Sequence, residues 1–500
     1  MGFRKLFKSQ EFWIFIIFLA VLTIRIIIAF QTPLFNYEAY FSLRQIENIK
    51  ETGFPTYNDP LSYGGKIQLF TPLNYYILTL FSLIIPEDIV AKIIPNIFAS
   101  LLIIVAYFMA LKITKNPKIG LITGFMTGFI PILFFDINRI STDYFSTLII
   151  FSIIYCLFKI NERKYIDYSL ILMFILVLTT PLALILILGL LFYLLLSKLE
   201  NNYIELKELE IILFFTFLTT WINLLIFKNA LLTHGIMVIW QNMPTEVISR
   251  FFSNLTLLET FYTISIIPLL LGIYGFYLAF NEEKNREVMI LTGFGIAVFL
   301  LMWFRLLNLI TSIFLLSVTL VIISSFSLKR INGLIEISKF HKYKKLFILL
   351  FIVLFILTST IPSIILGMEK SKETPKLEDI VVLQWAEKNT PKTAVIAGTL
   401  EEGHLITYYA KRKNIADNRF LLVQNIDQRI EDINKIYATR FQIESISILN
   451  KYNSKYILLT DYARKKYNID KIYYINEDCF QEIVYSKNTT LYMNKCKIEK

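Results

Sequence analysis

Eleven apolar segments recur between residues 11 and 366, and they limit the fold more than any other feature of the sequence. Several reach the roughly 20 residues that an α-helix needs to cross a bilayer. Hydrophobic residues make up 55% of the 500 positions and charged residues only 18%, which excludes a single water-soluble domain. We therefore predict a multi-pass, all-α membrane domain of about 11 spans. The predicted spans are 11–31, 89–112, 118–135, 142–160, 165–180, 182–197, 208–228, 257–280, 288–304, 306–327 and 346–366.

The charged residues between the spans predict how the protein lies in the cell membrane. Arg4, Lys5 and Lys8 precede the first span, so we expect a cytoplasmic N-terminus. Alternate loops are basic, and the loop 328–345 is the most basic of them. Counting residues 70–86 as a span would turn most of these loops outward, so we predict that this segment is a helix lying at the interface. The net charge of +11 then reflects orientation and does not indicate a nucleic-acid partner.

The sequence divides into two predicted domains. Residues 1–367 form the membrane domain, which has a large first external loop over residues 32–88. In residues 368–500 charges are dense and apolar runs shorten to strand length, which indicates a small α/β domain. An odd number of spans places this domain outside the cytoplasm, where Cys479 and Cys496 either form a disulfide or remain free thiols. Its predicted elements are helices over 377–389 and 430–440 and strands over 394–397 and 456–460.

The first external loop is polar, aromatic and dense in turn residues, although it lies between two apolar segments. Glu38 follows the first span, and Arg44 and Asp59 lie further along the loop. Glycine and proline at several positions between Gly53 and Gly65 predict an ordered, sharply turned structure. Such a loop at a membrane face is a plausible location for chemistry. We favour this interpretation over the alternative of a solvated connector.

A second polar cluster lies at the end of another span on the same predicted face. It contains Asp136, Arg139 and Asp143. Charged groups at this depth are costly unless they are paired, hydrated or functional. In the structural alternative, Asp136 and Arg139 pair locally and Asp143 caps the next helix. Together with Glu38, the cluster predicts two carboxylate sites at one membrane face.

Three further charged residues each have two interpretations. Arg305 interrupts an apolar stretch, where its guanidinium either binds a phosphate or extends from a span end to the interface. Arg25, in the first span, has the same alternatives, and the second is favoured. Glu246, in the external loop 229–256, is either a third acidic group over the site or an ordinary loop carboxylate.

These motifs, in this order, resemble the catalytic subunit of archaeal oligosaccharyltransferase and, more broadly, the GT-C membrane glycosyltransferases. Glu38-Ala-Tyr-Phe-Ser-Leu-Arg44 followed by Asp59-Pro60 resembles the first external loop of that family. Arg139-Ile-Ser-Thr-Asp143 is similar to its second loop, and Phe304-Arg305-Leu306 to the surroundings of its lipid-phosphate arginine.

The resemblance implies transfer of a sugar or oligosaccharide from a polyprenyl-phosphate carrier of the dolichyl type to a protein or glycan acceptor on the outer face of the membrane. It implies that Glu38 and Asp143 act in catalysis or hold Mg²⁺ or Mn²⁺, and that Arg305 binds the donor phosphate. The residues expected to support this site are Arg44, Asp59, Asp136, Arg139 and Glu246.

The C-terminal domain resembles the same family around its acceptor-binding motif, for example at Ala416-Asp-Asn418. The Trp-Trp-Asp-Tyr-Gly motif itself should stand at residues 399–403, where only Gly403 matches, so Glu401, Glu402 and Gly403 mark a degenerate acceptor region. Two alternatives to an oligosaccharide transferase therefore stay open. One is a transferase that takes a single sugar from a polyprenyl monophosphate without a metal. The other is a non-catalytic relative that binds lipid-linked glycans.

Overall fold

The computed structural model describes residues 10–202, 204–235, 256–281 and 285–497. Helices occupy most of this chain up to residue 371, and a helix-covered sheet forms the remainder. The helices of the first part are α1 (Gln10–Ala29), α2 (Ala39–Thr52), α3 (Leu73–Ser82), α4 (Glu87–Thr114), α5 (Pro117–Gly128), α6 (Asp143–Phe158), α7 (Arg163–Thr179), α8 (Ala183–Leu199), α9 (Leu206–His234), α10 (Leu257–Ile264), α11 (Ile266–Asn281), α12 (Arg286–Trp303), α13 (Leu309–Ile337), α14 (Lys344–Phe355) and α15 (Ile361–Ser371). The first loop adds a short antiparallel ribbon of β1 (Asn58–Asp59) and β2 (Lys66–Ile67).

Each predicted span contains helix, although the α-helix in the predicted span 118–135 ends at Gly128, and the number of crossings remains a prediction. Within the described chain, six helices are long and apolar enough to cross a membrane, or seven if α10 and α11 count as one span bent by 84°. Other predicted spans correspond to shorter helices, such as the 16 residues of α6 and the 17 residues of α8. A helix of this length is marginal for a bilayer core, because each residue adds about 1.5 Å.

The segment predicted to lie at the interface forms α3, which is ten residues long. At about 1.5 Å per residue, it covers only about half of the roughly 30 Å of hydrocarbon that a span must cross. This length is consistent with a helix that does not cross the membrane.

Small residues set the distance between the most closely packed helices of the membrane domain. A Cβ atom added at Gly272 or Gly275 of α11 would lie 2.6 Å from the side chain of Leu320 or Ile323 of α13. Such close approach is typical of helix pairs in membranes, where packing replaces the hydrophobic effect as the source of association. These contacts hold α13, which is largely buried, against α11.

The C-terminal part is a five-stranded mixed sheet in the order β4-β3-β5-β7-β6, with helices packed against it. The strands β4, β3 and β5 are parallel, and β7 pairs antiparallel with both β5 and β6. Its elements are α16 (Leu377–Asn389), β3 (Val395–Ala397), α17 (Gly403–Leu405), β4 (Lys413–Asn414), α18 (Ile426–Ala438), α19 (Gln442–Lys451), β5 (Ser454–Leu459), α20 (Asp461–Tyr467), β6 (Phe480–Ser486) and β7 (Thr489–Asn494). The helix predicted over 377–389 is present with the same bounds.

The first loop is joined to the edge of this sheet. The Tyr63 N–H donates to the carbonyl of Asn414, and the Asn414 N–H donates to the carbonyl of Leu61, both at 3.0 Å. The turn between β1 and β2 contains Gly64 and Gly65 with φ of 78° and 73°, a conformation that glycine adopts without strain. The predicted ordered loop therefore exists, and it extends the sheet beyond β4.

Cys479 and Cys496 form a disulfide that closes a sequence separation of 17 residues beside the β6–β7 hairpin. The sequence left open whether these two cysteines are bonded or free, and in the structure they are bonded. A cross-link over a loop of this length stabilises a fold by about 3 kcal/mol in the chain-entropy description.

We expect replacement of both Cys479 and Cys496 by serine to lower the unfolding free energy of the C-terminal domain by about that amount. Pulse proteolysis of the full chain in detergent, with and without reductant, measures the change. The variant Cys156→Ala is the control, because Cys156 is buried in α6 and unbonded. An unchanged midpoint for the double serine variant would contradict the expectation.

Candidate active site

Glu38 lies immediately before α2, where the chain turns away from the end of α1. The side chain of Asn36 accepts a hydrogen bond from the Ala39 N–H at 3.1 Å and fixes the start of this helix. The Glu38 carboxylate does not cap the helix but forms an ion pair with Arg139 and remains 43% exposed. It is therefore held in a defined position and still open to a ligand.

Arg139 connects the two polar clusters that the sequence predicted at one face. Its guanidinium contacts Glu38 and lies 3.4 Å from Asp136 Oδ1. The local pairing of Asp136 with Arg139 is thus present, and it is extended by the contact with the first loop. Burial lowers the pKa of the Arg139 guanidinium.

Arg25 of α1 holds the chain that precedes Arg139, and this role differs from both interpretations of the sequence. Its side chain is buried, with Nη1 donating to the Leu133 carbonyl at 2.7 Å and Nε donating to Asn96 Oδ1 at 3.0 Å. The guanidinium also lies over the rings of Phe134 and Tyr144. Arg25 consequently neither extends to an interface nor reaches a ligand site. It fixes the chain that leads to Arg139.

Asp143 is the first residue of α6, and its carboxylate contacts another helix. Oδ2 accepts a hydrogen bond from the Thr311 hydroxyl at 3.0 Å, while the Asp143 N–H donates to Ser141 Oγ. Asp143 therefore does not cap α6, which was the alternative interpretation of its sequence position. Its negative charge at a helix N-terminus is favourable, and it lies at the N-terminal end of the central helix α13.

A cavity of about 280 Å³, here called cavity A, brings these groups together. Glu38, Arg139 and Asp143 all line it, beside hydroxyl and amide side chains and a few apolar ones. Its remaining lining residues are Ser42, Leu69, Phe70, Thr71, Tyr75, Ile140, Ser141, Thr142, Thr179, Thr180, Pro181, Leu182, Phe227, Leu307, Asn308, Thr311, His404, Asn418 and Arg419. A second cavity of about 560 Å³, cavity B, shares Glu38, Arg139 and Asn418 with cavity A and extends toward α20. The Glu38–Arg139 pair therefore lies where the two cavities meet.

Arg305 is not among the residues that line cavity A. It is exposed, in the turn between α12 and α13, with a φ of 54°. Leu307 and Asn308 of the same turn do line the cavity, so Arg305 is close to it along the chain. Its predicted contact with a donor phosphate stays a prediction. Glu246 lies outside the described residues.

Arg44 and Asp59 form a brace within the first loop. The guanidinium makes two hydrogen bonds to the carboxylate, at 2.9 and 2.7 Å, and Gln68 Nε2 donates to the same carboxylate at 2.8 Å. A buried bidentate pair of this kind fixes geometry. Neither residue lines cavity A or B, so both support the site by holding the loop that carries Glu38.

The region that corresponds to the acceptor motif is mainly part of the scaffold. Glu402 is buried and accepts hydrogen bonds from the Thr399 N–H, at 3.0 Å, and from the Thr460 hydroxyl. Gly403 allows a close approach, because a Cβ atom there would lie 2.5 Å from the Ala416 carbonyl oxygen. Glu401 is the exception, since it lines cavity B while pairing with Lys466.

Burial raises the pKa of Glu402 to about 7, and this gives a pH-dependent prediction. The folded state then holds a proton that the unfolded state releases near pH 4–5, so Glu402 destabilises the fold increasingly as pH rises toward 7. Because Glu402→Gln stays neutral, we expect its unfolding midpoint to rise relative to the wild type between pH 5 and pH 8. Glu401→Gln is the matched control and should show no such trend. Parallel pH profiles for wild type and Glu402→Gln would contradict this account.

The arrangement of Glu38 and Asp143 does not fit the predicted Mg²⁺ or Mn²⁺ site. Within the described part of the chain, no group of three or more His, Cys, Asp or Glu side chains is arranged to hold a metal ion. Glu38 is engaged by the guanidinium of Arg139, and Asp143 accepts from Thr311. A divalent cation requires several oxygen ligands, whereas here a fixed positive side chain already lies among the carboxylates.

Most residues that line cavity A were not predicted from the sequence, among them Thr311, His404 and Arg419. His404 and Arg419 flank segments that resembled the family motif, and Ala416-Asp-Asn418 ends one residue before Arg419. That neighbouring motif was the available signal. No signal in the sequence pointed to Thr311, because a threonine near the end of a span is common.

Comparison with known proteins finds similarity at the level of structure only. No family model and no curated protein matches the sequence. The Archaeoglobus fulgidus oligosaccharyltransferase, solved with a tethered acceptor peptide, is 15% identical with a TM-score of 0.67, over 90% of this chain and 69% of that one. The same organism's AglB, in complex with an inhibitory peptide and a dolichol-phosphate, gives 16% identity and a TM-score of 0.63, over 90% and 69%.

A second kind of membrane protein is similar over almost its whole length. ArnT from Cupriavidus metallidurans, bound to undecaprenyl phosphate, is 12% identical with a TM-score of 0.58, over 97% of this chain and 98% of that one. Another structure of the Archaeoglobus oligosaccharyltransferase, in complex with Zn and sulfate, gives 17% identity and a TM-score of 0.61, over 88% and 67%. At these identities the likeness concerns the fold. The chain therefore shares its fold with the Archaeoglobus fulgidus oligosaccharyltransferase and with ArnT, as the resemblance of its motifs predicted.

Proposed function

We propose that this protein transfers a sugar from a polyprenyl-phosphate carrier to an acceptor at the membrane surface. The observation that carries the proposal is the convergence of Glu38, Arg139 and Asp143 in cavity A, which residues of eight separate chain segments enclose. The solved relatives were captured with a dolichol-phosphate and with undecaprenyl phosphate. A carrier of this chemistry is therefore the first substrate to test.

In the proposed mechanism, Glu38 activates or orients the acceptor nucleophile. Its carboxylate is half exposed and faces both cavities, so it can receive a proton from a group bound in cavity B. Arg139 holds Glu38 in place and supplies positive charge close to the reacting centre. Asp143 adds a fixed negative charge near Arg139. Arg305 would stabilise the phosphate leaving group from the turn before α13.

We favour a small donor group, such as a single sugar, over a large oligosaccharide. Cavity A is at the small end of ligand pockets. Arg139 lies among the carboxylates where a cation would otherwise be needed, which supports a metal-independent reaction. The degenerate residues 399–403 support an acceptor other than the asparagine of a glycosylation sequon, because the motif that would bind the Ser or Thr of the sequon is not kept. On this proposal the site lies on the outer face of the membrane.

The test uses the full-length protein in nanodiscs with radiolabelled polyprenyl-phosphate sugars and, separately, polyprenyl-pyrophosphate oligosaccharides. We expect transfer to an acceptor, or slow release of sugar to water, from a monophosphate donor, with the same rate in the presence of a chelator. Loss of activity on chelation would contradict the metal-independent form. Carrier binding without turnover under every condition would instead favour the non-catalytic relative.

A further inference from the structure

Arg419 is a cation of the C-terminal domain that faces cavity A without a carboxylate partner among the described residues. Its neighbours in the sequence show how it is held. The Arg419 N–H donates to Asp417 Oδ1 at 2.9 Å, and the Arg419 carbonyl accepts from Lys66 Nζ at 3.1 Å. Lys66 in turn bonds both oxygens of Asp417 at 2.5 Å. The backbone of Arg419 is thus fixed on both sides by a buried ion pair.

The side chain of Arg419 is fixed by an aromatic platform. Its guanidinium carbon lies 3.8 Å from the centre of the Phe41 ring, and Phe41 is itself fully buried against Phe70 and Tyr75. The planar guanidinium of arginine can stack flat on an aromatic ring, whereas the ammonium group of lysine has no plane to stack. The stacked group keeps its N–H donors at the edge, where they can reach a ligand.

In the part of the chain that the structure describes, no carboxylate side chain forms an ion pair with Arg419. The other cations nearby have partners, since Lys66 pairs with Asp417 and Arg44 with Asp59. Arg419 instead adds to the positive potential at Arg139, the other guanidinium of cavity A. Because Arg139 already pairs with Glu38 and Asp136, Arg419 is the guanidinium of cavity A at which a bound anion is favoured.

His404 completes this wall of the cavity with an uncharged ring. Burial lowers its pKa to about 4, so the imidazole is neutral at physiological pH. Its Nε2 is buried, has no hydrogen-bond partner in the described residues, and lies 3.6 Å from Asp417. A ligand in cavity A can therefore gain a further hydrogen bond there.

We propose that Arg419 binds the phosphate of the lipid-linked donor, as a second cationic ligand contributed by the C-terminal domain. This inference rests on the proposed function and names the side chain that distinguishes carrier phosphate from carrier alcohol. A guanidinium held at a fixed position makes bidentate, charge-assisted bonds to phosphate oxygens. Arg305 would reach the same group from the membrane side.

The experiment measures binding in nanodiscs of neutral lipid, without turnover. The probes are a short-chain polyprenyl phosphate, the matching polyprenol and inorganic phosphate, and the variants are Arg419→Gln, Arg419→Lys and Arg440→Gln. Arg440 is the matched control, because it is exposed and lies over the ring of Tyr473 away from both cavities. Melting temperatures of all variants are recorded to establish folding.

We expect Arg419→Gln to weaken binding of polyprenyl phosphate by about tenfold or more, with polyprenol binding unchanged. Arg419→Lys should show an intermediate loss, and Arg440→Gln none. The proposal is overturned if a folded Arg419→Gln variant binds polyprenyl phosphate with wild-type affinity. It is also overturned if the variant loses affinity for inorganic phosphate but not for polyprenyl phosphate. If the wild-type protein fails to distinguish polyprenyl phosphate from polyprenol, the proposed function fails instead.

Discussion

Replacing Glu38 by glutamine is expected to lower the rate of sugar transfer by about 10²–10⁴-fold, the range for loss of a general base. The amide has nearly the shape of the carboxylate but cannot take a proton. It also cannot form the charged pair with Arg139 that holds the side chain between cavities A and B. Single-turnover transfer from a radiolabelled donor measures the rate.

The matched control for this change is Glu51→Gln. Glu51 lies on the same helix α2, is exposed, and lines neither cavity. Donor binding should be nearly unchanged in both variants, because Glu38 acts on the acceptor side of the reaction. Transfer by a folded Glu38→Gln variant at the wild-type rate would remove Glu38 from the mechanism.

The second large effect is expected at the buried pair of Lys66 and Asp417. Both side chains are almost fully buried, and they connect the first loop to the C-terminal domain. Replacing Lys66 by methionine leaves an unpaired buried carboxylate, and losses of this kind cost about 3–5 kcal/mol. We expect the loop 53–69 to become sensitive to protease at temperatures where the wild-type loop resists it.

This loss should also depend on pH. Lys66 holds the pKa of Asp417 below its usual range, against the opposing effect of burial. The pair therefore contributes stability that is present above the ordinary pKa of an aspartate and is lost as pH falls through the lowered folded value. The difference between wild type and Lys66→Met should narrow in acid. Lys471→Met, at an exposed position of the same domain, should behave as wild type at every pH.

The convergence of Glu38 with Asp136 and Arg139 was predictable from sequence. Both clusters follow ends of spans that the sequence places at one membrane face, and groups at one face share a thin layer of space. The helical segments were predictable for a similar reason, because an apolar run of sufficient length has few structural alternatives in a membrane. The number of crossings depends on helix length and bending, which the apolar pattern does not determine.

Other features of the site depend on tertiary packing that no local pattern encodes. Arg44 and Asp59 carry the charges expected of a site, yet they bind each other and not the cavity. Arg419 reaches cavity A only because Phe41 and Lys66, more than 350 positions earlier in the chain, hold it there. Glu402 matched the position of an acceptor motif but is enclosed by Thr399 and Thr460.

The docking of the first loop on the C-terminal sheet has a consequence for biosynthesis. Lys66 and Asp417 are separated by 351 positions, which a ribosome translates in on the order of tens of seconds at about 5–20 residues per second. During that interval the nascent loop lacks the strand edge on which it later rests. On the proposed function, an unfinished polypeptide cannot transfer sugar, because cavity A is complete only once His404 and Arg419 have been synthesised.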